Sequence, residues 1–159
     1  MSGFIYLSKA KFEEMKDDLH ELKTVNRPEL SQKISDARDF GDLKENAEYH
    51  AAREALSLLE AKIAKMEDSL ARARIVDPKN ITDDKVSIYT KVKLKDLKQN
   101  REVSYTLVSQ EESDFKQAKI SISSPVGKAL LGMEKGEKVE IKVPAGIMAF
   151  QVLDIEVAI

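Results

Sequence analysis

The chain has 159 residues, of which 42% are hydrophobic and 34% are charged, and it contains two histidines and no cysteine. The lack of thiols excludes a disulfide framework, a thiolate zinc site and a cysteine nucleophile, so any bound metal is expected to be a hard ion held by oxygen atoms. Residues 1–77 carry 13 basic and 16 acidic side chains and residues 78–159 carry 13 and 12, so neither half is basic enough to bind nucleic acid through bulk charge.

The N-terminal residues 1–7 lack the basic and apolar blocks of a signal peptide. No stretch approaches the roughly 18 uninterrupted apolar residues of a membrane-spanning helix. A cytoplasmic protein without a membrane partner is therefore expected.

The first predicted element is a helix from about residue 7 to residue 37. Its apolar side chains recur at steps of three and four, which is typical of a helix face packed on a partner. These side chains are Phe12, Met15, Leu19 and Leu22. After Leu22 the register slips near Arg27 and Pro28, where proline removes a backbone donor and crowds the preceding turn. A kink, but not a helix end, is expected there.

The second predicted helix has a more regular apolar stripe, with charged residues and serine between its members. The stripe consists of Leu56, Leu59, Ile63, Met66, Leu70 and Ala73. We interpret it as packing core, so residues 1–77 are predicted to form an antiparallel coiled-coil hairpin with an acidic tip at 39–48. About 28 residues at 1.5 Å per residue give a stalk of roughly 40 Å.

Residues 77–80 are expected to end the second helix and to begin a connector, after which the apolar period changes to two. Strands are predicted at residues 88–94, 103–108, 120–123, 139–143 and 148–157. Ser124 and Pro125 have the pattern of an N-cap and first helical residue, and Gly132 closes this short helix. Residues 78–159 are therefore predicted to form a second domain, a small, mostly antiparallel sheet with one short helix, and the fold class is α+β.

The turn between the two helices carries acids at every third position. They are Asp36, Asp39, Asp42, Glu45 and Glu48. One interpretation is structural, because the run from Asp42 to Glu45 matches a capping box with aspartate in place of serine or threonine. The other interpretation is functional. Capping needs only one or two acids, and additional charges of the same sign repel each other and cost energy, so a purely structural turn would not need five acids.

In the functional interpretation Asp42 and Glu45 are ligands of Mg²⁺, which needs about six oxygens and is usually held by one or two carboxylates with phosphates and water. Two exposed carboxylates make only part of such a site. The other ligands are expected from another molecule, and no ion is expected to be bound by the isolated chain. Such a chain would be an accessory factor to the two-metal phosphoryl chemistry of another enzyme.

Arg38 and Arg53 lie on either side of the turn, and two interpretations of them remain open. They are either ordinary helix charges paired with Asp39 or Glu54, or they hold a nucleic-acid backbone near the acids. His50 is interpreted as a surface or packing residue.

Residues 37–54, ARDFGDLKENAEYHAARE, resemble the tip signature of the Gre family of bacterial transcript cleavage factors, and of its A-type branch. The resemblance extends through residues 26–29, 73–77, 118–125 and 132–137. It implies a coiled-coil hairpin followed by a domain with an FK506-binding-protein-like fold. It also implies that the globular domain binds RNA polymerase at the rim of the secondary channel while the hairpin enters the channel.

The resemblance further implies roles for the tip residues. Asp42 and Glu45 would help to hold the second Mg²⁺ of the polymerase active centre, so that polymerase cleaves the extruded 3′ end of nascent RNA in backtracked, arrested complexes. Arg38 and Arg53 correspond to a basic patch that meets this RNA. The chain would then be an elongation factor, not an enzyme, with no small-molecule substrate.

Ser123 and Pro125 match the family loop implicated in docking on polymerase, and Ser123 stands where some relatives carry aspartate. Some paralogues keep the fold, alter the tip and inhibit polymerase, whereas both tip acids are present here in the standard spacing. Two alternatives remain: a channel-occupying regulator without cleavage activity, and, less favoured, a prolyl isomerase or chaperone-type module, for which residues 78–159 offer only four aromatic side chains to line a pocket.

Overall fold

The computed structural model describes residues 3–159, so Met1 and Ser2, the start of the segment examined for a signal peptide, lie outside it. The chain divides into two compact units. One comprises residues 3–5 and 9–74, and the other comprises residues 6–8 and 75–159. Within residues 3–159, no helix has the length and apolar character needed to cross a membrane.

The first unit is a pair of helical arms. The first arm consists of α1 (Lys9–Glu21), a π-helical segment (Leu22–Asn26) and α2 (Arg27–Arg38). The second arm is α3 (Ala47–Ala71), whose 25 residues span about 38 Å at 1.5 Å per residue. The predicted helical hairpin is therefore confirmed.

The helix continues through Pro28, and the irregularity lies directly before it. The N–H of Arg27 donates to the carbonyl of Leu22, five residues back. Because the proline nitrogen has no hydrogen to donate, this wider turn carries the chain into Pro28 without ending the helix.

The apolar stripes of the two arms face each other. Met15 on α1 and Leu59 and Ile63 on α3 are buried, as the three-and-four spacing predicts. Arg27 also forms a two-point ion pair with Glu60 across the arms, with Nε to Oε1 at 2.7 Å and Nη2 to Oε2 at 2.8 Å. Apolar packing, together with this exposed pair, holds the arms side by side.

Two short strands were absent from the prediction. β1 (Ile5–Leu7) pairs with β2 (Ala73–Ile75) in a sheet of their own. Consequently the second helix ends at Ala71, earlier than residues 77–80, where the sequence predicted its end. A 3-10 turn (Pro78–Asn80) occupies that segment instead.

The second unit is built on a five-stranded sheet with the order β5-β4-β3-β7-β6. Its strands are β3 (Thr90–Asp96), β4 (Arg101–Val108), β5 (Lys119–Ser121), β6 (Lys138–Val143) and β7 (Gly146–Val157). Neighbouring strands are antiparallel except β4 and β5, which are parallel. The sheet is therefore mixed, and one parallel pair departs from the mostly antiparallel pattern.

This unit has a single α-helix, α4 (Pro125–Leu130). The helix packs against the sheet, and its Leu130 belongs to the same buried apolar cluster as the inward residues of the strands. The cluster consists of Val86, Val92, Leu94, Leu107, Leu130, Met133, Ile141, Phe150, Val152 and Ile155. Along β3, buried side chains alternate with exposed lysines, as expected for a sheet that has one face on the core and the other in solvent. The predicted fold class, a helical hairpin followed by a small sheet domain with one short helix, is confirmed.

Candidate functional site

Residues 39–46 form the turn between α2 and α3, and backbone hydrogen bonds define where it starts. The N–H of Phe40 donates to the carbonyl of Ala37 at 3.2 Å, and the N–H of Gly41 donates to that of Arg38 at 3.4 Å. Gly41 then adopts φ +123°, a conformation that side chains with a Cβ rarely adopt. The chain therefore leaves α2 in a fixed direction.

Asn46 is the residue that caps α3. Its Oδ1 accepts a hydrogen bond from the N–H of Tyr49 at 3.1 Å, and its Nδ2 donates to the carbonyl of Ala37 at 2.6 Å. One side chain thus satisfies the start of α3 and the end of α2. The structural interpretation of Asp42 as the N-cap is wrong, because α3 begins four residues later than a capping box at 42–45 requires.

Replacing Asn46 by alanine is expected to lower the free energy of unfolding of the hairpin by about 1 to 2 kcal/mol, because a cap and a second hydrogen bond are both lost. Urea titration followed by circular dichroism measures this change. Asp39→Ala is the matched control in the same turn. An Asn46→Ala chain as stable as that control would contradict the bridging role.

The two predicted metal ligands are exposed and take little part in holding the turn together. Asp42 Oδ1 accepts the N–H of Lys44 at 3.0 Å, while the carbonyl of Lys44 lies 3.1 Å from His50 Nε2. The carboxylate of Glu45 has no hydrogen bond or ion pair to any residue of the described range 3–159. Asp42 and Glu45 line one shallow depression, together with Phe40, Asn46, Ala47 and Glu48.

This donor set fits Mg²⁺ as part of a site. The ion prefers carboxylate oxygens and normally keeps several waters or phosphate oxygens, and both carboxylates here are open to solvent. In the part of the chain that the structure describes, no three histidine, cysteine or acidic side chains are grouped to hold a metal.

Arg38 and Arg53 converge on one aromatic ring. The Cζ atom of Arg38 lies 5.8 Å from the ring centroid of Tyr49, and that of Arg53 lies 5.7 Å from it. Tyr49 is buried, so both guanidinium groups lie near a ring that is fixed in place, and the ring's negative face favours the cations electrostatically. Neither arginine forms an ion pair with any residue from 3 to 159, so the predicted pairing with Asp39 or Glu54 is not observed.

Sequence reasoning did not single out Asn46 or Tyr49. Asn46 stands directly before a long helical pattern, which is the usual N-cap signal. The match of residues 42–45 to a capping box favoured Asp42 instead. Tyr49 lies four residues before Arg53 on α3 and therefore on the same helix face. The sequence therefore contained the signal that places Tyr49 beside Arg53. It contained no signal that places Arg38, on the other arm, beside the same ring.

The predicted docking residues lie in the sheet unit. Ser123 and Pro125 are both exposed, and Pro125 is the first residue of α4. The hydroxyl of Ser123 lies 2.7 Å from that of Ser121. Ser124, which lies between Ser123 and Pro125, caps α4 because its Oγ accepts a hydrogen bond from the N–H of Gly127 at 3.0 Å. The capped helix start therefore keeps the side chains of Ser123 and Pro125 close together on the surface.

Comparison with known proteins gives a consistent result for both units. A family model described as transcription elongation factor, N-terminal, matches residues 5–75, and one described as transcription elongation factor, GreA/GreB, C-term, matches residues 81–157. The chain is 52% identical over 157 residues to transcription elongation factor GreA of Prosthecochloris aestuarii, covering 98% of each chain.

It is 51% identical over 157 residues to the protein of the same name from Chloroherpeton thalassium, covering 99% of each chain. A solved structure of the transcription factor Gfh1 is 27% identical, covers 98% of this chain and 99% of its own, and superposes with a TM-score of 0.49.

Proposed function

Because the chain belongs to the GreA/GreB family of transcription elongation factors, we propose that it binds RNA polymerase through the secondary channel. There it stimulates Mg²⁺-dependent cleavage of the 3′ end of nascent RNA in backtracked complexes. The chain acts as an accessory factor to the polymerase's own cleavage chemistry. Such a partner implies a cytoplasmic location.

One observation carries this proposal: Asn46 caps α3, so the exposed carboxylates of Asp42 and Glu45 are not needed to start this helix. A purely structural turn would not need two acids in one depression, since charges of the same sign repel each other. Their position at the turn of a hairpin presents them to whatever the hairpin enters.

In this proposal Asp42 and Glu45 supply two of the oxygen ligands, and polymerase and RNA supply the others. Mg²⁺ bound there would activate a water molecule or stabilise the leaving oxygen. The chain's own contribution is positional. Asn46 and Gly41 hold the backbone of the turn, so only the side chains of Asp42 and Glu45 have to be ordered when the hairpin meets the polymerase.

Arg38 and Arg53 are proposed to contact the phosphates of the extruded RNA. Their guanidinium groups are exposed, are free of competing ion pairs among residues 3–159, and are oriented by the buried ring of Tyr49. Planar guanidinium groups bind phosphate through paired hydrogen bonds. Ser123 and Pro125, in turn, are proposed to belong to the surface that docks the sheet unit on polymerase.

Arg53→Ala is expected to lower stimulated cleavage at least about tenfold, because the loss of even one of the paired charge-assisted hydrogen bonds costs about 1.5 kcal/mol. Transcript shortening in halted complexes measures the rate. Lys65→Ala, which removes an exposed charge elsewhere on α3, is the matched control and should retain the wild-type rate. Equal losses in the two variants would indicate a general effect of charge and contradict a specific RNA contact.

The proposal is tested by adding the purified protein to halted polymerase complexes with labelled RNA and following transcript length with and without Mg²⁺. Shortened transcripts that appear only with both protein and Mg²⁺ are expected. If the protein binds the complexes, slows elongation and releases no RNA, it is a channel-occupying regulator and the cleavage proposal is wrong.

A further inference from the structure

Phe40 is an exposed aromatic side chain at the turn of the hairpin. It is 75% exposed, whereas Tyr49, the other aromatic residue of the turn region, is buried. An apolar ring left in water contributes little to folding, because stabilisation comes from apolar area removed from solvent. The backbone N–H of Phe40 ends α2 by donating to Ala37, a role that any residue except proline could fill.

The ring lies beside the proposed metal ligands. Phe40 lines the same depression as Asp42 and Glu45. It also borders a groove between α2 and α3, whose apolar lining includes Ala51 and Ala52. A flat apolar face therefore adjoins the groups proposed to act on an RNA phosphate.

We propose that Phe40 stacks on an unpaired nucleobase of the extruded RNA 3′ end, next to the phosphate that Asp42 and Glu45 address. This inference rests on the proposed function. The proposed function assigns residues to the RNA phosphate, and this inference adds a residue that contacts the base. Proteins bind single-stranded RNA by stacking splayed bases on aromatic rings, and such stacking tolerates any sequence.

The surroundings of the ring favour a base over a protein partner. The centre of a protein interface is usually apolar and excludes water around its aromatic anchors. Phe40 instead has the acids Asp42, Glu45 and Glu48 around it in the depression. A nucleotide needs one flat apolar face for its base and surroundings that do not repel its phosphate. This side of the turn offers both once the charges of Asp42 and Glu45 are neutralised, either by a cation or by substitution with the amides.

The test compares Phe40 variants on backtracked complexes whose RNA ends either in a normal nucleotide or in an abasic one. With normal RNA, Phe40→Ala and Phe40→Leu are expected to lower stimulated cleavage about tenfold, while Phe40→Trp retains it, because stacking needs an aromatic face. The wild-type protein should lose about the same factor on abasic RNA, and Phe40→Ala should show no further loss there.

Leu58→Ala is the matched control, because Leu58 is an apolar side chain of α3 that is 67% exposed. It should cleave both RNAs at wild-type rates. Equal slowing of normal and abasic RNA by Phe40→Ala would show that the ring contacts polymerase, and an unchanged rate would show that it contacts nothing relevant. Either result overturns the proposal.

A second readout separates this inference from the cleavage proposal. Halted complexes that carry 2-aminopurine at the RNA 3′ end are mixed with the Asp42→Asn, Glu45→Gln chain, with and without Phe40→Ala. Fluorescence is expected to change only when the ring is present. A lack of any difference overturns the stacking proposal even if cleavage occurs. If the wild-type chain releases no RNA, the cleavage proposal fails while the fluorescence still decides the role of Phe40.

Discussion

The double change Asp42→Asn, Glu45→Gln is expected to lower stimulated RNA cleavage at least about a hundredfold. Loss of two carboxylate ligands removes several kcal/mol of charge stabilisation from a metal-assisted step, and each 1.36 kcal/mol corresponds to a factor of ten. Gel analysis of labelled transcripts in halted complexes measures the rate. Binding to polymerase, followed in the same preparation by native gel shift, should remain.

The stability of the hairpin is expected to change by less than about 0.5 kcal/mol in this double variant, the range of ordinary surface substitutions. Asn46 remains to cap α3, and an asparagine side chain at position 42 can still accept the N–H of Lys44. Asp39→Asn serves as the matched control, since it removes one charge of the turn from outside the depression. A fall of more than about 2 kcal/mol in the free energy of unfolding would mean that the acids stabilise the fold.

The second large effect is expected from Gly127→Ala in the sheet unit. A Cβ atom at this position would lie 2.1 Å from the carbonyl oxygen of Ser121 and 3.0 Å from Ser124 Oγ. Both are fixed, because Ser124 Oγ donates to that carbonyl at 2.6 Å and also caps α4. The free energy of unfolding of the sheet unit should fall by about 2 to 3 kcal/mol, the upper part of the usual cost of overpacking, because the nearest atom belongs to the backbone.

Relief of the clash requires β5 or the start of α4 to move. Ser123 lies in the loop between these elements, and Pro125 is the first residue of α4. Affinity for polymerase should therefore fall together with stability, which thermal unfolding and gel shift measure in parallel. Lys128→Ala, at the next and exposed position of α4, is the control. A Gly127→Ala chain that unfolds like the control would contradict the close approach.

Local pattern was sufficient to predict the helices and the main strands. The three-and-four spacing of Leu59 and Ile63 identifies the buried face of α3, and the alternation at Val139 and Ile141 identifies β6, because each pattern is set by the geometry of one element. The pairing of β1 with β2 could not be predicted this way. Those strands are three residues each and lie more than 60 positions apart in the sequence, so no local period marks them.

The parallel pairing of β4 with β5 was missed for a related reason. Between these strands the chain makes two 3-10 turns and passes through Ala118, which has φ +55°. A left-handed residue without glycine gives no sequence signal. The crossover connection that makes the pair parallel therefore depends on tertiary contacts.

At the turn, residue types were informative about chemistry but not about which residue caps the helix. Asp42 and Asn46 are both acceptable N-caps, and the choice depends on Nδ2 of Asn46 reaching the carbonyl of Ala37 on the other arm. Likewise, Tyr49 joins Arg38 to Arg53 only after the arms have packed. Contacts across the hairpin decide both points, and a single-helix pattern does not contain them.

The bridge from Asn46 to Ala37 has an evolutionary consequence. Since the turn is held by groups other than its acids, substitutions at positions 42 and 45 can alter what the hairpin does without altering whether it folds. Under the proposed function, a chain that lacks both carboxylates would compete with the intact protein for the same host enzyme. In such a lineage, and with the proposed function, two substitutions in a duplicated gene would convert an activator into an antagonist.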